Sequence, residues 1–154
     1  MTEASDPGWP RGFEVMPVVG DADPDSTAAA LQDLARAVLP GQRSVAVLGA
    51  VADPGESAET VRDEHDRLGR LAVRLNIGKL VVVGEPARHI HLGASLEGSW
   101  DGESVLVADD DAAYDLLREE LRPDDVVLVM SSAEAGIQGL ADRLRAIDAG
   151  SGTR

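Results

Sequence analysis

KLVVVG, Lys79–Gly84, decides the fold. Four apolar residues, three of them valines, run without polar alternation, and a glycine ends the run. A strand with one wet face alternates; a strand buried on both faces does not. Layers must then cover both sides of the sheet. The sequence on either side supplies helices to do so. Upstream, Ser57–Leu75 places Val61, His65, Leu68, Ala72 and Leu75 on one helical face. Downstream, Pro86 opens a short helix in its favoured first-turn position.

The pattern repeats outward. RSVAVLG, Arg43–Gly49, reads as a second buried strand, followed by the loop Ala50–Glu56 with its Pro54-Gly55 turn. GFEVMPVV, Gly12–Val19, is the first strand candidate. The helix after it is expected to start near Asp25 or Ser26 and carries Leu31, Leu34, Ala35 and Val38 until Pro40-Gly41 stops it. SVLVA, Ser104–Ala108, precedes a helix to Leu121 that opens on Asp109–Asp111, acids at the positive end of a helix dipole. DVVLVM, Asp125–Met130, is the last strand, and Ile137, Leu140, Leu144 and Ile147 line a closing helix. Strands alternating with helices imply right-handed crossovers. The expected fold is a three-layer, Rossmann-like α/β sandwich with a mainly parallel sheet of about five or six strands. Residues 1–12 and 149–154 are expected to be flexible tails around a domain spanning 13–148.

Bulk chemistry narrows the functions. The 154 residues carry 28 acids against 14 Lys and Arg, a formal net charge of −14. Such a surface repels nucleic-acid backbones and anionic membranes, so neither is an expected partner. No cysteine is present, which removes thiolate catalysis, disulfides and the common structural zinc sites. MTEASDPGWPRG, residues 1–12, lacks the basic and apolar regions of a signal peptide, and a cytoplasmic location is expected.

Ligands of open α/β sheets bind beyond the carboxyl ends of the strands. Here those ends are Gly20–Pro24, Gly49–Glu56, Gly84–Pro86, Ala108–Asp111 and Met130–Ala135, which contain several Asp but no Lys or Arg. A phosphate site calls for glycines, Lys and free N–H groups. Neither GxxxxGK[ST] nor GxGxxG occurs, so the chain is not expected to hold or hydrolyse ATP by itself.

The order of these loops resembles the C-terminal domain of the Mur ligases, the D-alanyl-D-alanine-adding branch most of all. GDADPDS, Gly20–Ser26, stands where that branch has a YNANPDS-like motif. LGAVADPGE, Leu48–Glu56, stands for its LGDMLELGE. Ser57, His65 and Gly69 match the Ser, His and Gly of its next helix, and LVVVGEPARHI, Leu80–Ile90, its next strand and turn. ADDDAAYDLLREELRPDDVVLV, Ala108–Val129, is similar to the helix and strand that follow, and LVMSSA, Leu128–Ala133, stands for LVKGSR. The resemblance runs over roughly residues 13–147.

The resemblance implies a bacterial, cytoplasmic protein of peptidoglycan synthesis. In that family this domain closes over ATP and magnesium held by a central P-loop domain and helps to place an incoming amine. An acyl phosphate is then attacked to form an amide. The chain alone would not be a competent ligase; its implied partner is a P-loop Mur ligase domain or subunit. By the same resemblance Asp21, Asp23, Asp53, His65 and Ser132 mark the substrate or nucleotide edge. The departures matter. Two Asn of the family motif become Asp21 and Asp23, and its Tyr becomes Gly20. An Asp becomes Ala50 and a Glu becomes Asp53. The Lys and Arg of KGSR become Met130 and Ala133, leaving the edge about three charges more negative. An ionised Asp only accepts hydrogen bonds where an Asn also donates. A stand-alone degenerate domain, serving as a binding or regulatory module for a small ligand, is the alternative reading.

Other groups have plainer roles open to them. Asp21, Asp23 and Asp25 lack the glycine and later Glu of a calcium loop, so turn formation and helix capping are expected and no metal is assigned. His65 is expected to be half-buried and bonded to a backbone group. His89 and His91, two apart on a helix, point different ways. Ser131 and Ser132 lack a nucleophile elbow. Trp9 and Trp100 either cover a core edge or mark a partner surface.

Overall fold

The computed structural model describes residues 9–17, 22–51, 55–132 and 137–152. Its elements are β1 (Glu14–Val15), α1 (Pro24–Ala37), β2 (Ser44–Leu48), α2 (Ala58–Arg74), β3 (Lys79–Val83), α3 (Arg88–Leu96), β4 (Glu103–Val107), α4 (Asp110–Glu120), β5 (Val126–Met130) and α5 (Gln138–Gly152). A 3-10 turn, Glu85–Ala87, leads into α3. The five strands form one sheet in the order β1-β5-β2-β3-β4, and every pairing is parallel.

The unalternating runs have the burial they imply. Every residue of β2, β3 and β5 is buried. Successive side chains point to opposite faces, so each strand feeds two cores. Ala46, Leu48, Leu80, Val82, Leu128 and Met130 pack with Leu31 and Leu34 of α1, Leu68 and Ala72 of α2, and Ile90 and Ala94 of α3. Val45, Val47, Val81, Val83, Val127 and Val129 pack with Ala113 and Leu117 of α4 and Leu140 and Leu144 of α5. Three helices therefore cover one face and two the other.

The ends differ from expectation. The first strand is Glu14–Val15, and residues 18 and 19 of the expected run lie outside the described residues. Part of the expected N-terminal tail is docked. The Trp9 ring lies 6.0 Å from Phe13 and 5.1 Å edge-on from Tyr114, and the Asp124 N–H donates to the Arg11 carbonyl at 3.2 Å. Trp9 thus covers a core edge. Trp100 does similarly, its indole N–H donating to the Ile77 carbonyl at 2.9 Å. The backbone of α5 runs to Gly152, into the stretch expected as a C-terminal tail.

Buried charge gathers at the amino edge of the sheet. Asp125, 1% exposed, takes Nε and Nη2 of Arg43 at 3.2 and 2.7 Å and the Arg122 N–H at 2.8 Å. Lys79, also 1% exposed, pairs with Glu120 and with Glu103. Arg43–Asp125 joins the entries of β2 and β5, Lys79–Glu103 joins β3 to β4, and Lys79–Glu120 ties β3 to α4, all at the end of the sheet away from the carboxyl edge.

Candidate functional site

The chain walks outward from β2 to β3 and β4 with α2 and α3 on one face, then returns beneath the other face through α4 to β5. Neighbouring strands β2 and β5 therefore send their following helices to opposite faces. That is a topological switch point, where the exits of the strands diverge and leave a crevice.

Backbone hydrogen bonds draw the exits together. The Gly49 N–H donates to the Met130 carbonyl at 2.9 Å, the Ser132 N–H to the Ala50 carbonyl at 2.8 Å, and the Ala22 N–H to the Ser131 carbonyl at 3.3 Å. The segments after β1, β2 and β5 thus form one connected rim. Ser131 is buried, and its hydroxyl donates to the Ser132 carbonyl at 3.0 Å.

His65 supports this rim from below. It sits on the apolar stripe of α2, 1% exposed, and its Nε2 faces the Val51 N–H at 3.2 Å. An N–H can only donate, so Nε2 must be bare and the ring proton belongs on Nδ1. Burial, and secondarily the charge of His89 on α3, push the imidazole pKa below its ordinary 6.5. Nδ1 is buried without a hydrogen-bond partner among the described residues.

Asp23 serves α1. Its carboxylate accepts the Ser26 N–H at 2.7 Å, while the Ser26 hydroxyl lies 2.9 Å from the Asp23 N–H, closing a capping box. The Ser26 amide and then its hydroxyl hold the Asp23 carboxyl below its ordinary 3.8. The helix therefore starts at Pro24 rather than at Asp25 or Ser26, because proline fills the first turn and Ser26 is the third helical residue. Asp25 lies in that first turn.

Asp21, Asp53 and Ala133 lie outside the described residues. Met130 is 3% exposed and packed in the core beneath α1, so its side chain does not reach the rim. His91 is committed to Ser104, Nδ1 to Oγ at 2.7 Å. Among the described residues no group of three or more His, Cys, Asp or Glu could hold a metal ion. None of the described helices is long and apolar enough to cross a membrane. The described rim, Ala22–Asp23, Gly49–Val51 and Met130–Ser132, carries one carboxylate and no Lys or Arg. Among the described residues this rim therefore supplies no cation to neutralise a triphosphate.

A doubly covered parallel sheet with its rim at a β2–β5 switch point is the architecture of a doubly wound α/β domain, a class whose ligands bind at that crevice. The profile of the Mur ligase glutamate ligase domain matches residues 8–133, and the chain belongs to that family. It is 47% identical over 146 residues to the UDP-N-acetylmuramoyl-tripeptide–D-alanyl-D-alanine ligase of Mycobacterium leprae, covering 86% of this chain and 28% of the relative. With the same ligase of Mycobacterium tuberculosis strain H37Rv it shares 47% identity over 153 residues, 89% of this chain and 29% of the relative. The chain thus spans less than a third of the curated relatives it matches. The crystal structure of MurF from Acinetobacter baumannii superposes with a TM-score of 0.67 at 24% identity, covering 86% of this chain and 28% of that one, and shows the fold.

Proposed function

We propose that this domain is the closing domain of a D-alanyl-D-alanine-adding ligase of bacterial, cytoplasmic peptidoglycan synthesis. It works only beside a P-loop domain that holds ATP and magnesium. The observation that carries this reading is the 47% identity, over 86% of the chain, to a ligase of which it corresponds to 28%. The rim gives it a physical sense. A rim without cations does not grip phosphates. Its one described carboxylate, Asp23, leaves it negative, which suits an incoming ammonium better than a phosphate. In this reading Asp21, Asp23, Asp53, His65 and Ser132 mark or support the edge facing the other domains. Asp23 acts through the α1 cap and His65 through the Val51 segment.

The test is a chimera. The corresponding part of the Mycobacterium tuberculosis ligase is replaced by this chain, and phosphate release dependent on D-alanyl-D-alanine is measured. The expected result is amine-dependent turnover in the chimera and none in the chain alone. A folded chimera that binds ATP yet shows no amine-dependent turnover would overturn the reading.

A further inference from the structure

The crevice has a support whose chemistry depends on pH. His65 reaches the rim through one hydrogen bond, from the Val51 N–H to Nε2 at 3.2 Å. The adjacent Ala50 carbonyl takes the Ser132 N–H at 2.8 Å, and Gly49 is bonded to Met130 at 2.9 Å. One ring nitrogen therefore lies at the root of a connected path from α2, through the exit of β2, to the exit of β5.

The histidine cannot yield by moving its helix. One turn on from His65, a Cβ at Gly69 would lie 1.9 Å from the Ile90 carbonyl oxygen. One turn on from His89, a Cβ at Gly93 would lie 2.3 Å from the Asp66 carbonyl oxygen. Helices α2 and α3 meet backbone to backbone there and hold the stem of His65 still. Protonating Nε2 turns an acceptor into a donor facing the Val51 N–H. Two donors cannot share that contact. With α2 pinned, the displacement falls on the Gly49–Val51 segment.

We propose that neutral His65 is a positioning residue that latches the Gly49–Val51 segment of the switch-point rim, and that its protonation releases that segment. His89 on α3 is the titratable group whose charge reaches the ring; when protonated it opposes a second positive charge on His65. Release therefore occurs below pH 6.5, the ordinary histidine value. The relevance to ligase turnover rests on the function proposed above; the latch itself does not.

The experiment has two independent arms. In the isolated chain, histidine 15N couplings and Val51 amide exchange are followed against pH in the wild type, His65→Gln and His65→Leu. Gln keeps an acceptor near the position of Nε2 but does not titrate. The expected wild type carries its proton on Nδ1 at neutral pH and loses Val51 protection, beyond the intrinsic pH effect, as His65 titrates. His65→Gln keeps protection across that range. His65→Leu lowers it by about tenfold, the worth of one ordinary hydrogen bond, while the β3 amides stay protected. A proton on Nε2 at neutral pH, or equal Val51 protection in wild type and His65→Leu, overturns the latch. In the chimeric ligase, the acid limb of turnover should flatten in His65→Gln; an unchanged limb overturns the link to turnover. A chimera inactive with wild-type His65 counts against the proposed function, and the exchange arm still decides the latch.

Discussion

At the scale of single residues, Met130 shows how position outranks a motif match. The family motif has a lysine there, and the methionine looks like a lost cation. In the structure that side chain is 3% exposed among Leu31, Leu34 and Ala46. A lysine at this position would meet the core before it met a ligand. Met130→Lys should cost roughly 4 kcal/mol, the work of depressing an ammonium pKa by about three units. Urea unfolding at pH 7 measures it, and a variant as stable as the wild type would show that the side chain can turn out to the rim. Asp23 makes a second case. Its carboxyl pKa is held below the ordinary 3.8 by the Ser26 amide and hydroxyl. The cap is therefore fully present above that value and is lost as pH falls through the depressed one. Asp23→Asn keeps an acceptor that does not titrate. Between about pH 4 and pH 2 the wild type should lose more thermal stability than Asp23→Asn. Parallel melting curves would remove the cap as the cause.

At the scale of elements, the α2–α3 crossing is the tightest contact between helices. Gly69→Ala drives a methyl into the Ile90 carbonyl, and both helices would have to separate. The expected loss is about 3 kcal/mol or more, the upper range for overpacking. Gly139→Ala is the control, because a Cβ there meets nothing within 4 Å. It should leave stability unchanged or raise it by about 0.5–1 kcal/mol through helix propensity. Equal effects from the two would show that propensity, and not the crossing, governs position 69. The elements were legible because their causes are local. KLVVVG and DVVLVM lack alternation, and the Leu31–Leu34 and Leu140–Leu144 stripes have helical period. Legibility failed where a single residue overrides its neighbours. Pro24 moves the start of α1 to itself with Asp23 as the cap, and Trp9 anchors a polar stretch by its edge-on contact with Tyr114. The Gly69–Gly93 approach and the Arg43–Asp125 pair join segments remote in sequence, and no local pattern announces them.

At the scale of the molecule, the buried ion pairs gather at one edge of the sheet. The buried pairs of Arg43 and Lys79 hold the amino edge, while the described rim at the carboxyl edge carries a carboxylate and no cation. The edge that carries the candidate site was legible in the sequence, because sheet topology sets that edge whatever the residues are. Its construction was legible only at His65, expected to bond a backbone group and found against the Val51 N–H. The rim is held by the backbone of Gly49, Ala50, Val51 and Ser132, and backbone groups leave no side-chain signature. The net charge of −14 adds a prediction of its own. Spread over a small domain, that charge opposes compaction, and the unfolded chain relieves it by expanding. Salt shortens the range of repulsion between exposed carboxylates to about 8 Å at physiological strength. The same salt weakens exposed pairs such as Arg36–Asp33, whose side chains are 73% and 61% exposed, but such pairs contribute only about 0–1 kcal/mol each. Arg43–Asp125 is shielded from solvent and barely responds. Repulsion therefore outweighs attraction in the response, and the melting temperature should rise as sodium chloride goes from about 20 to 300 mM. A calorimetric series measures it. A falling melting temperature would mean that attraction among the exposed ion pairs, and not the excess of acids, dominates the electrostatics of the folded chain.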